Sequence, residues 1–132
     1  RNNFRASVFF RLDLESTASI KLRLGSEVYT AVGSGNGGFD AFNNALARIV
    51  RRQGLVLPEL VDYESRIPKG GRTDALTECS IIWSTDEGEL RTRGVHANQV
   101  FAAIGATVRM LNIMMHRALT AAAEAARTPT AA

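Results

Sequence analysis

The stretch "VGSGNGGFDAFNNALARIV", residues 32–50, joins a run of glycines to an amphipathic helix, and its reading decides the fold. Phe39, Phe42, Leu46, Ile49 and Val50 recur at helical spacing, while Asn43, Asn44, Arg48 and Arg51 take the opposite side. Arg51 and Arg52 complement the helix dipole at the last turn, and Gly54 is a stop signal. A glycine-rich turn ahead of a helix N-terminus either cradles a carboxylate or phosphate or simply turns tightly. The rest of the chain has to choose between these.

Upstream, "FRASVFFRLDL" (4–14) alternates: Phe4, Ala6, Val8, Phe10, Leu12 and Leu14 share one face, and Arg5, Ser7, Arg11 and Asp13 the other. Such period-two alternation marks a half-buried strand. "ASIKLRL" (18–24) repeats it, with Ala18, Ile20, Leu22 and Leu24 inward and Lys21 and Arg23 outward. Gly25-Ser26 turns the chain into "EVYTAV" (27–32), so three strands form an antiparallel meander before the helix.

Downstream the plan recurs. "ELVDYESRI" (59–67) reads as a strand, "PKGGRT" as a break, "DALTECSIIW" (74–83) as a second strand, "DEG" (86–88) as a hairpin turn and "ELRTRGV" (89–95) as a third strand. A helix follows from Gln99 to Arg117 or beyond, with Asn98 as N-cap and Val100, Ala103, Ile104, Val108, Leu111 and Met115 as its apolar stripe. The tail from 121 to 132 is expected to fray. A shift of 61 positions lays Gly33 on Gly94, Ala41 on Ala102, Ala45 on Ala106 and Arg48 on Arg109. The expectation is an α+β domain of two tandem βββα units with antiparallel sheets, residues 1–54 and 55–120, related by a pseudo-two-fold. Each unit is too small to bury its own sheet face alone, which favours pairing into a homodimer.

Composition bounds the function. The 132 residues are 45% hydrophobic and 22% charged, ordinary for a globular domain. No run approaches the roughly 18 apolar residues of a membrane span, and the start lacks the apolar block of a secretory signal. The absent initiator Met reads as a piece of a longer protein. A single cysteine, Cys79, cannot form an internal disulfide and mildly favours a reducing, cytoplasmic compartment. Cys79 shares a strand face with Ile81 and Trp83, which suits an inert buried thiol. His96 and His116 are the only histidines and do not make a metal-ligand set. No nucleophile elbow or Walker lysine is present. The formal charge is +3, but the arginines are scattered without interleaved aromatics, so neither nucleic acid nor membrane is the expected partner.

The segments "LPELVDYESRIPKGGRTDALTECSIIW" (57–83) and "LRTRGVHANQVFAAIGATVRMLN" (90–112) resemble the C-terminal regulatory domain of α-isopropylmalate synthase and its relative citramalate synthase. Residues 32–50 are similar to that family's glycine-rich turn and helix, with Gly37-Gly38 replacing its proline position. The resemblance runs to about residue 118. It implies a paired βββα domain that dimerises and binds a branched-chain amino acid, leucine or isoleucine, feeding back on a catalytic TIM-barrel domain of the same polypeptide. The divalent metal and acetyl-CoA of such an enzyme belong to that barrel; this chain is expected to carry no cofactor and no turnover of its own.

The resemblance places the effector near the dimer interface, against Phe39, Leu60, Tyr63, Ile67, Asp74 and Thr77, with Ala97 and Gln99 approaching from the other subunit. The turns at Gly35, Gly37 and Gly38, matched by Gly94, would cradle its carboxylate. Physical chemistry asks the same of such a site: donors for the carboxylate, acceptors for the ammonium and a dry slot for the side chain. Each residue also has a plainer reading. Leu60, Ile67 and Phe39 suit a core, Tyr63 a packed aromatic, Asp74 a turn cap and Gln99 an ordinary first-turn residue. Two other functions stand beside the regulatory one: a basic nucleic-acid module and a ligand-free structural dimeriser.

Overall fold

A computed structural model describes residues 14–67 and 76–127. Among these the element order is β1 (Ser16–Leu24), β2 (Glu27–Gly35), α1 (Gly38–Arg52), β3 (Glu59–Arg66), β4 (Thr77–Thr85), β5 (Gly88–His96) and α2 (Gln99–Arg127). Two compact units divide the chain, Arg1–Gln53 and Gly54–Ala132. The strand read at 4–13 lies outside the described residues, and Leu14 precedes β1 as exposed coil.

In the first unit β1 and β2 form an antiparallel hairpin. Gly25 holds its turn at a φ of 62°, a conformation that disfavours any residue with a Cβ. Ala18, Ile20, Leu22 and Leu24 alternate as half-buried positions between exposed ones, and α1 packs on that face. Ala31, Ala45 and Ile49 form the centre, with Ile20, Leu22 and Tyr29 around them. α1 buries Ala41, Phe42, Ala45, Leu46, Ile49 and Val50, then stops at Gln53 and the positive-φ Gly54.

The second unit is a three-stranded antiparallel sheet in the order β3-β4-β5. α2 lies over β5 and β4. Cys79, Ile81 and Trp83 of β4 and Ala102, Ala103, Ala106 and Met110 of α2 are its buried centre. The indole N–H of Trp83 donates to Thr92 Oγ1 at 2.9 Å, so the one polar atom of that buried ring is satisfied.

The repeat read from sequence is structural to the residue. Ser16 pairs with Gly35 in the first hairpin and Thr77 with His96 in the second, each 61 positions on. At the centre of each hairpin a strand glycine lies against the helix backbone. A Cβ on Gly33 would stand 2.6 Å from the Ala41 carbonyl oxygen, and one on Gly94 2.6 Å from the Ala106 amide nitrogen. Neither has room for a side chain. The glycines let each helix sit close on its sheet, with alanines meeting them from the helix side.

Several expectations are corrected. Gly33 and Gly35 belong to β2 and Gly94 to the interior of β5, so the glycines before the helices are largely strand, and the first turn is only Asn36-Gly37. The stripe of α2 is Ala102, Ala103, Ala106, Thr107 and Met110. Val108, expected inward, is 39% exposed, because the buried stripe runs through Ala103, Ala106, Thr107 and Met110 and leaves it on the stripe's margin. The helix continues to Arg127, as the tail's run of strong helix formers from Thr120 allows, and residues 128–132 lie outside the described residues. The second strand starts at Thr77, with Leu76 outside it.

Candidate functional site

The candidate site grows from β3. Strict alternation would put Leu60 and Tyr63, three positions apart, on opposite faces. A register shift between Leu60 and Asp62 changes that: Leu60 pairs with Trp83, Tyr63 with Ile81 and Ser65 with Cys79. The β4 partners are buried on the helix side, so Leu60, Tyr63 and Ser65 face that way too. Because α2 covers β5 and β4, β3 presents an apolar strip beside the helix. Leu60 is 36% exposed, Ile67 just beyond the strand 67%, and Leu76 50%.

At the inner margin of the strip three elements meet. The Tyr63 hydroxyl from β3 engages both the Cys79 thiol from β4 and the Gln99 side chain at the first turn of α2. Burial pushes the Tyr63 hydroxyl above its ordinary range, against which the Gln99 hydrogen bond acts in the lowering direction. Burial likewise raises the Cys79 thiol. The cluster is therefore neutral at physiological pH: a polar floor beside an apolar strip, the composition that a small amphiphile requires. Thr77, half-buried, stands two residues before Cys79 on the same face and pairs with His96.

The two helix starts differ. Asn98 caps α2 with Oδ1, accepting from the Val100 amide at 2.8 Å and the Phe101 amide at 3.2 Å. The Asn98 amide in turn donates to His96 Nδ1 at 2.9 Å, and the His96 ring stands edge-on to Phe101. These three N–H groups are taken by the protein. In the first unit Asp40 Oδ2 accepts from the Asn36 amide at 3.0 Å, whereas Gly37, the N-cap of α1, makes no side-chain cap. α1 thus starts without a side-chain cap from its N-cap residue, whereas α2 has one.

The sequence-read residues thus fall into groups. Tyr63 and Gln99 come together in the second unit, Thr77 stands two residues from Cys79, and Leu60 and Ile67 lie towards opposite ends of β3. Gln99, expected from a partner subunit, meets Tyr63 of its own chain. Ala97 is exposed in the turn before α2. Phe39, half-buried, stacks on Phe42 at 6.3 Å in the first unit. Gly94 is buried inside β5 under the helix and does not line a turn. Asp74 lies outside the described residues. Cys79 as the neighbour of Tyr63 was missed; its inward face was legible, its register against β3 was not.

Among the described residues no group of three or more His, Cys, Asp or Glu side chains comes together. No described helix is long and apolar enough to cross a membrane.

Tandem strand–helix repeats, each with a strand glycine pressed against its helix, define a duplicated α+β module. The LeuA allosteric (dimerisation) domain family matches residues 5–115, and the chain belongs to it. It is also similar to 2-isopropylmalate synthase of Shewanella amazonensis, 30% identical over 99 residues. That match takes in 75% of this chain and 18% of the relative.

Proposed function

We propose that this chain is the regulatory module of a 2-isopropylmalate synthase or citramalate synthase. In this reading it binds a branched-chain amino acid, dimerises, and passes feedback inhibition to a catalytic domain of the same cytoplasmic polypeptide. Family membership supports a regulatory and dimerising role, and the relative's name supports the synthase. The observation that supports the site is the hydrogen bond between Tyr63 and Gln99, with Leu60 on the same face of β3 as Tyr63. The apolar strip takes the branched side chain. Tyr63 and Gln99 offer the hydroxyl and amide that meet its polar end, joined by Thr77, Asp74 and Ala97. Leucine is favoured over isoleucine on the strength of the relative. Feedback then follows as a shift between two arrangements, limited by how differently the ligand binds each.

Titration calorimetry with leucine, isoleucine and valine tests the proposal. Heat and a raised melting temperature with one of them is the expected result; no response to any of the three overturns it.

A further inference from the structure

Sheet edges invite pairing with other chains, and most proteins blunt them. Two of the four strand edges among the described residues, those of β2 and β3, are blunted by visible devices. On β2, Arg52 Nη1 donates to the Thr30 carbonyl at 3.3 Å and Asn44 Nδ2 to the Ser34 carbonyl at 2.6 Å. Both donors come from α1 and cover the side of β2 that faces away from β1. On β3, the bulge interrupts the strand and Asp62 Oδ1 accepts from the Tyr63 amide at 2.9 Å.

β5 has neither device. The 61-residue repeat places Gly105 where α1 has Asn44 and Ile113 where it has Arg52, and neither side chain can donate. The two hairpins share register, and Gly33 and Gly94 face their helices alike. By chirality the backbone groups of β5 then alternate as those of β2 do. Glu89, Arg91, Arg93 and Val95 aim their amides and carbonyls away from β4. No described residue bonds them. The groove along this edge is lined by Arg91, Arg93, Arg109 and Ile113.

We infer that the β5 edge is where a second copy of this chain docks, by antiparallel pairing of β5 with β5 about a two-fold at Leu90. This rests on the dimerisation reading above and adds the surface and its register. Charge selects the register. Centred on Leu90, the pairing runs over residues 88–92 and sets Glu89 opposite Arg91 of the second copy, a pair that occurs twice by symmetry, with Arg93 and the turn residue Glu87 flanking it. Neighbouring registers set arginine against arginine or glutamate against glutamate. Within one chain Arg93 already shares Glu78 at 3.4 Å and Glu87 holds Arg117 at 3.5 Å, both at exposed side chains that can exchange partners. Leu90 meets Leu90 of the second copy on the axis, and the two sheets become one of six strands.

The test is analytical ultracentrifugation of the chain with Glu89→Arg, with Arg91→Glu, with both changes together, and with the two single variants mixed. Each single variant puts like charges across the axis twice and is expected to weaken dimerisation about tenfold or more. The double variant and the one-to-one mixture restore opposite pairs and should recover wild-type association. Single variants that dimerise like wild type overturn the edge assignment while leaving dimerisation itself standing. Weakening without rescue overturns the register, and with it the assignment. A wild-type chain that stays monomeric at all concentrations overturns both this inference and the dimerisation reading, whereas loss of effector heat with an intact dimer strikes only the latter's ligand.

Discussion

Gly94 lies directly beneath the carbonyl of Ala102, with no space between them for a methyl group. Sixty-one positions earlier, Gly33 stands in the same relation to Ala41 and Ala45. The closest helix–sheet approach in each unit is thus made by a glycine on the strand and alanines on the helix.

Gly33→Ala and Gly94→Ala should each lower stability by about 3 kcal/mol, because the obstruction is backbone and cannot rotate away. Gly105→Ala, whose Cβ would lie 3.7 Å from Gly94 Cα in ordinary contact, should instead stabilise by about 0.5–1 kcal/mol through helix propensity. Denaturant unfolding of the three variants checks both signs.

Thr92→Val keeps the shape of a 5% exposed residue but leaves the Trp83 indole N–H, buried beside it, without its acceptor. A loss of about 1–3 kcal/mol is expected. Pairing it with Trp83→Phe should recover part of that loss, measurable as a coupling in a double-mutant cycle.

Asn98→Ala removes the acceptor for two α2 amides and should cost about 1 kcal/mol. Asn98→Asp restores an acceptor oxygen and should recover most of the loss. Thermal melts of the pair distinguish capping from a general effect of substitution.

Tyr63 and Cys79 are both raised by burial, so each favours its protonated form in the fold. The stability this contributes is fully present below their ordinary unfolded values and is lost as pH rises through the folded ones. Unfolding stability of wild type should therefore fall in the alkaline range above about 9–10. Tyr63→Phe should flatten the upper part of that fall. It should also weaken effector binding more than it lowers the melting temperature at neutral pH; equal losses would make Tyr63 a packing residue.

The periodicities in the sequence determined most of the local architecture. The alternation from Ala18 to Leu24, the stop at Gly54 and the cap at Asn98 are each visible in a few residues, because hydrogen-bonding geometry acts over a turn or less. The 61-residue repeat was legible for the same reason: each glycine that admits a helix is written into its own strand. What alternation predicted poorly was the face of α2. A large apolar residue such as Val108 looks like core until the packed pair fixes the buried stripe through Ala103, Ala106, Thr107 and Met110, which leaves it on the margin.

The candidate site divides along the same line. The sequence by itself determined its family resemblance and the residue types that it offers. Only the tertiary structure decided that a bulge turns Leu60 and Tyr63 to one face and that Gln99 reaches Tyr63 within one chain. The tertiary structure likewise decided that β2 and β3, among the described strands, have side chains bonding their outer backbone groups. Strand register and edge protection join residues far apart in the chain, and no local pattern encodes which backbone groups remain without a partner once the strands have paired.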